Sequence, residues 1–111
     1  MVDDRVGSPN ESNDGAEPPV RVAELDANDL AALQRDLDAH VDIESVRIRA
    51  GGRDERLDGE DRLDRVIVAI GSGEAVAAQI RYRFDGARWC DTLMCRGGAI
   101  RLVRMRNPPD I

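Results

Sequence analysis

The 111-residue chain contains no lysine: all sixteen of its basic side chains are arginine. Aromatic residues are scarce, limited to Tyr82, Phe84 and Trp89, so a core must be built from Leu, Val, Ile and Ala. No apolar run approaches the ~20 residues of a membrane span. The N-terminus lacks the basic and apolar regions of a secretory signal, and the expectation is a cytoplasmic protein with no membrane partner. Histidine occurs once, at position 40, and cysteine twice, at 90 and 95. Five positions apart in one strand, the cysteines would lie on opposite sheet faces with Cα atoms roughly 16 Å apart. A disulfide needs less than ~7 Å, so they cannot pair with each other, nor can they hold one zinc ion together. No nucleophile with a base and no phosphate-cradling glycine loop is present, and the sequence implies neither a metal nor a cofactor.

Charge is present and segregated. Residues 1–63 hold 17 acids and 8 arginines, whereas residues 64–107 hold 8 arginines and 4 acids. An acidic half beside a basic half points to an anion-binding face, or to a tail that folds back to screen one. Arginine without lysine also follows from GC-rich coding, so the positions of the arginines say more than their identity.

Residues 1–19 are acidic, rich in Gly, Pro, Ser and Asn, and poor in large apolar residues; they read as a disordered tail. Residues 20–107 read as one domain and 108–111 as a C-terminal tail. Within the domain, residues 20–24 alternate weakly, as a short edge strand does. A helix follows to His40. Asp26 is its N-cap, Asp29 occupies N3, and Leu25 with Leu30 fits a hydrophobic staple. Leu30, Leu33, Leu37 and Val41 form one stripe on a 3.6-residue period. His40 at the C-terminal end suits the helix dipole better than it suits catalysis.

Residues 44–50 alternate as a half-buried strand, with Val46 and Ile48 against Arg47 and Arg49. Residues 51–62 (GGRDERLDGEDR) read as a charged loop. Residues 64–70, apolar from Val66 onward, read as a strand, with Gly71, Ser72 and Gly73 turning the chain. Strands over 74–84, 88–95 and 99–106 follow, joined at Asp85 and Gly86 and at Gly97 and Gly98. Two-residue loops there set Tyr82 opposite Trp89, Ala78 opposite Leu93, and Leu93 opposite Leu102. Leu102 and Val103 are adjacent apolar residues. A bulge between them would turn Val103 and Met105 inward and Arg104 and Arg106 outward. Without it, Arg104 faces Asp91 on the inner side.

The expected fold is α+β: one N-terminal helix, its Leu30/Leu33/Leu37 stripe packed on a four- to five-stranded antiparallel meander. In element order over residues 20–106 this resembles a cystatin-like or reduced NTF2-like outline. Such scaffolds host binders and enzymes alike.

Strand parity assembles two candidate sites. The outer sheet face should carry Arg47, Arg49, Arg81, Arg83 and Arg101 around Thr92 and Met94, with Gln79 and Cys90 nearby. Guanidinium forks bind carboxylates and phosphates in a bidentate manner, so this face suits an acidic protein partner or a second copy. Without aromatic platforms it suits single-stranded nucleic acid less well. Cys90 beside Arg81 could carry a thiol of depressed pKa. The second site is Asp91, set between Trp89 and Leu93 on the inner face. It reads either as half of an ion pair with Arg104, or as the general acid/base of a small pocket enzyme walled by Tyr82 and Trp89. The leading expectation is a small non-enzymatic binding or accessory protein using the arginine face. The pocket enzyme is second and nucleic-acid binding third.

Overall fold

The computed structural model describes residues 20–108; the segment 1–19 and residues 109–111 of the expected tails lie outside them. The elements run β1 (Val20–Leu25), α1 (Ala27–His40), β2 (Asp42–Ala50), β3 (Arg53–Leu57), α2 (Arg62–Ser72), β4 (Ala77–Phe84), β5 (Ala87–Arg96) and β6 (Ala99–Arg106). The strands form a single sheet in the order β1-β6-β5-β4-β2-β3. Every neighbouring pair is antiparallel. The class is therefore α+β on an antiparallel sheet, with six strands and two helices among the described residues where four or five strands and one helix were expected.

α1 begins as its capping residues dictate. The Asp29 amide donates to Asp26 Oδ1 at 2.8 Å and the Asp26 amide to Asp29 Oδ2 at 3.0 Å, a reciprocal capping box. Leu30, Leu33 and Leu37 are the buried face of this helix. The residues 64–70, expected as a strand, instead lie within α2. β-branched residues favour strands in general, but here the helical period outweighs that preference. Leu63, Val66, Ile67 and Ile70 recur at i, i+3, i+4 and i+7, and all four are buried, while Val68 is 59% exposed. The expected turn at 71–73 is the end of this helix: Gly73 adopts φ 83° and its amide donates to the Ile70 carbonyl at 3.2 Å.

The expected loop over 51–62 also holds structure. Gly51 and Gly52, at φ 59° and 77°, make a two-residue turn, and β3 returns along β2 with Arg49 opposite Asp54 and Val46 opposite Leu57. Only Leu57 of β3 is buried. As the outermost strand, β3 carries a charged side chain at each of its first four positions, a pattern that discourages further pairing at an edge.

Both helices cover the same sheet face. Their apolar stripes meet Val46, Ala78, Ile80, Tyr82, Leu93 and Leu102 from the strands in one buried cluster. Polar links set the helices in place. Gln34 donates to Asp64 across the helix pair at 3.0 Å, and Arg62 Nη2 donates to the Ile43 carbonyl at 2.8 Å. The opposite face of the sheet has no helix over it among the described residues.

The turns at Asp85 and Gly86 and at Gly97 and Gly98 give the anticipated registers, Tyr82 opposite Trp89 and Leu93 opposite Leu102. The β5–β6 ladder is regular from Cys95–Ile100 to Trp89–Arg106. No bulge interrupts it at Leu102 and Val103, so Val103 and Met105 face outward and Arg104 inward. The one irregularity in the β2–β4 pairing falls between Ile43 and Ser45.

The two assignments of residues 64–70 predict opposite substitution effects. Val68→Lys should change stability by less than about 0.5 kcal/mol, as exposed helix positions do. Ile70→Ala, which empties a fully buried site, should cost about 2–5 kcal/mol. Urea titration of both variants checks this; a collapse of Val68→Lys would restore the strand assignment.

Candidate functional site

The outer face is built by register. Across the sheet from β2 to β1, one row reads Arg49, Ala77, Met94, Arg101, Glu24. The next reads Arg47, Gln79, Thr92, Val103, Val22, and the third Ser45, Arg81, Cys90, Met105, Val20. Arg83 continues on β4 opposite Arg88. Parity thus places Arg47, Arg49, Arg81, Arg83, Arg101, Thr92 and Met94 together on this side. It also adds Val103 and Met105, which a bulge would have turned inward, and Val20 and Val22 of β1, which the sequence reading assigned to no face. The face therefore changes character along its width. The β2–β4 side is guanidinium-rich, whereas the β5–β6–β1 side is apolar, with Val22 61% and Met94 38% exposed.

The arginines are not equivalent. Arg49 is engaged by Asp54 of β3 through Nε–Oδ1 and Nη2–Oδ2 contacts of 3.0 Å each. That fork raises the Arg49 pKa and lowers that of Asp54. Arg83 and Arg88 each lie 3.7 Å from Glu44 Oε2. Glu44 sits at the β2 irregularity, where it shares the outer side with Ser45. For Arg47, Arg81 and Arg101, no carboxylate of the described residues lies within ion-pair distance. Arg47 and Arg81 are diagonal neighbours on adjacent strands, about 7–8 Å apart at Cα. Arg47 lies near enough to Asp54 to help lower that carboxyl's pKa, so Asp54 offsets part of its charge. Two guanidinium groups at that spacing otherwise repel each other and favour an anion between them.

Ala77 is small between Arg49 and Met94, and the surface dips there. A depression of about 390 Å³ is lined by Arg47, Arg49, Asp54, Ala77, Gln79 and Thr92, among others. A second of about 580 Å³ is lined by Ala77, Met94, Arg101 and Glu24. Cys90 belongs to the face by parity but is buried, and it touches Thr92 Oγ1 at 3.9 Å. Burial pushes its thiol pKa up, outweighing the opposite pull of Thr92 and Arg81. A depressed, reactive thiol is therefore not what this position holds. Cys95 is on the other face, against the core.

Asp91 is on the inner face with no exposure at all. Its Oδ1 accepts from the Tyr82 hydroxyl at 2.9 Å and from Arg104 Nε at 2.9 Å, and its Oδ2 accepts from Arg104 Nη2 at 2.8 Å. Both carboxylate oxygens are thus occupied by internal donors. The hydrogen bonds that Arg104 donates to Asp91 raise its pKa further and hold it firmly protonated. Arg106 packs over the Trp89 ring at 5.7 Å from its centroid. This geometry is that of an ion pair set into a core, with Oδ1 of Asp91 accepting two hydrogen bonds and Oδ2 one, all from internal donors.

In comparisons with protein-family models, curated proteins and solved structures, nothing matched this chain. Among the described residues no helix is long and apolar enough to cross a membrane, and no group of three or more His, Cys, Asp or Glu side chains is arranged to hold a metal ion.

Two outcomes follow from the buried pair. Arg104 keeps 33% of its side chain exposed, whereas Asp91 is sealed, so removing either partner has unequal effects. Arg104→Met strands a buried carboxylate and should cost about 3–5 kcal/mol. Asp91→Asn leaves a guanidinium that still reaches water and should cost about 1–3 kcal/mol; chemical denaturation of both variants compares them. Tyr82 is the only tyrosine, and burial, reinforced by the Asp91 charge, raises its pKa well above 10.0. The folded chain therefore holds the phenol proton more tightly than the unfolded chain. The resulting stability is present below about pH 10 and lost as pH rises toward the folded value. Phenolate absorbance at 295 nm should consequently appear together with loss of far-ultraviolet dichroism; ionisation of a still-folded chain near pH 10 would contradict this.

Proposed function

We propose that this protein is a small binding or accessory protein that captures an acidic partner on its uncovered sheet face. One observation carries the reading: Arg47, Arg81 and Arg101 present guanidinium groups with no carboxylate of the described residues at ion-pair distance, beside a strip in which Val22 and Met94 are exposed and Thr92, Val103 and Met105 half-buried. An extended peptide or loop with acidic and apolar residues in alternation complements both halves of that surface. The arginines would position carboxylates, and the strip would supply apolar contact. The partner-binding set is Arg47, Arg81 and Arg101 with Thr92 and Met94. Arg49 and Arg83 contribute once Asp54 and Glu44 release them.

A second copy is the less favoured occupant, because outer faces brought together would set unneutralised arginines of each chain near those of the other. For the general acid/base alternative, the sealed and doubly occupied carboxylate of Asp91 offers no support. The cystatin-like or reduced NTF2-like outline is compatible with a binder, and we carry it only as a description of element order.

A fluorescent peptide of alternating Glu and Leu residues tests the reading by anisotropy at low salt. Arg47→Ala with Arg81→Ala should weaken its binding at least tenfold, while Arg35→Ala on α1 should leave it unchanged. Equal binding by all three proteins would overturn the assignment. A tighter complex with a single-stranded oligonucleotide of equal charge, steeply salt-dependent, would favour nucleic acid instead.

A further inference from the structure

The two edges of the sheet are built differently. β3 lines its edge with Arg53, Asp54, Glu55 and Arg56, charges that discourage pairing. β1, at the opposite edge, reads Val20, Arg21, Val22, Ala23, Glu24, Leu25 and is exposed over its first five residues. Its outward N–H and C=O groups face no other strand among the described residues. Neither helix overhangs it: Arg21 and Ala23 lie on the helix side of the sheet, opposite Arg104 and Leu102, and both are exposed. The outer face is also incomplete at this edge. Its apolar strip runs through Val103 and Met105 to Val22 and Val20, with Glu24 the one charged residue on the outer side of β1. Arg47 and Arg81 border the strip on the β2–β4 side. Interfaces combine an apolar centre with a polar rim, and half of the rim is missing here.

We propose that two copies of this chain join edge to edge, β1 against β1 about a two-fold axis, making one continuous antiparallel sheet. An axis perpendicular to the sheet keeps outer side chains with outer ones, so only residues of like parity can meet across it. Centred on Val22, the pairing sets Val22 against Val22, Val20 against Glu24 and Arg21 against Ala23. No like charges are opposed. Centring on Arg21 would oppose two guanidinium groups, and centring on Ala23 would draw Asp26, the cap of α1, into the ladder opposite Val20. The Val22 register also joins the two strips. Val103 and Val22 of one copy continue into Val22 and Val103 of the other, with Arg47 beyond them on either side. Residues 20–108 hold sixteen acids and fifteen arginines, so their charge does not oppose the union. A second copy thus brings both a complementary edge and the missing half of the rim. The arginine fields stay apart in such a pair. The inference therefore stands whether or not that face captures an acidic partner.

Sedimentation equilibrium of the full-length chain, followed from micromolar to millimolar concentration, tests the pairing. The mass should rise from 12.2 kDa toward twice that value. Val22→Lys, which sets two ammonium groups together on the axis, should weaken association at least tenfold, with an unchanged far-ultraviolet dichroism spectrum showing that the chain still folds. Val20→Lys, which sets an ammonium opposite Glu24, should associate at least as tightly as the native chain. Amide hydrogen exchange should slow with concentration in β1 and not in β3. A native chain that stays at 12.2 kDa, a dimer that survives Val22→Lys, or one that Val20→Lys disrupts equally would each overturn the inference. Arg47→Ala with Arg81→Ala should leave the mass unaltered even though it weakens binding of the Glu-Leu peptide; loss of the dimer in that variant would mean that faces rather than edges meet. A monomer whose β1 amides are protected only by added peptide would assign the edge to the acidic partner instead, and would likewise overturn the dimer.

Discussion

Both faces of this sheet depend on the register set by two tight turns, at Asp85 and Gly86 and at Gly97 and Gly98. A two-residue loop leaves no slack, and a slip of one position would send every side chain of a strand to the other side. In the register adopted, Tyr82, Leu93 and Leu102 point under the helices, and Arg81, Thr92 and Val103 point away from them. The same parity brings Asp91 opposite Arg104 in the core. Any other register would leave one of those charges buried without a partner, which is far more costly than the pair itself. The ion pair therefore opposes alternative strand pairings, and Tyr82 adds a third directional contact to it.

The parts legible in the sequence were those governed by short-range rules. The Asp26 and Asp29 capping box, the Leu30 stripe, both turns of the β4–β6 meander and the membership of the arginine face all follow from spacing alone. Residues 64–70 were misread because two periods fit them. Val66, Ile67, Val68, Ala69 and Ile70 are all apolar, so alternation cannot be tested, and β-branching favours a strand. The deciding signal lay at its start, in Leu63 just before the segment and in the polar pair Asp64 and Arg65 that completes a helical face. β3 was hidden for the opposite reason. Outermost in the sheet, it buries only Leu57, and a strand that buries almost nothing leaves little apolar trace.

Within the outer face, position was legible and partnership was not. Whether an arginine is already neutralised depends on residues distant in sequence or displaced by irregular backbone. Asp54 reaches Arg49 only because β3 exists, and Glu44 reaches Arg83 and Arg88 from the point where the β2 pairing shifts. No periodicity argument supplies either contact. The same holds for Cys90, whose neighbours by parity suggested activation. Its burial raises the thiol pKa instead.

Placing both helices on one side determines what kind of binding the other side can support. An uncovered sheet of large aliphatic residues would associate permanently or aggregate. Here the strands alternate so that guanidinium groups interrupt the apolar strip on β2, β4 and β6, and each can remain hydrated when nothing is bound. Arginine suits that position better than lysine, because its planar fork is weakly hydrated and meets a carboxylate through two parallel hydrogen bonds. Such a surface gains affinity mainly when an anion displaces water from several forks at once. Binding of this kind is reversible and falls with ionic strength.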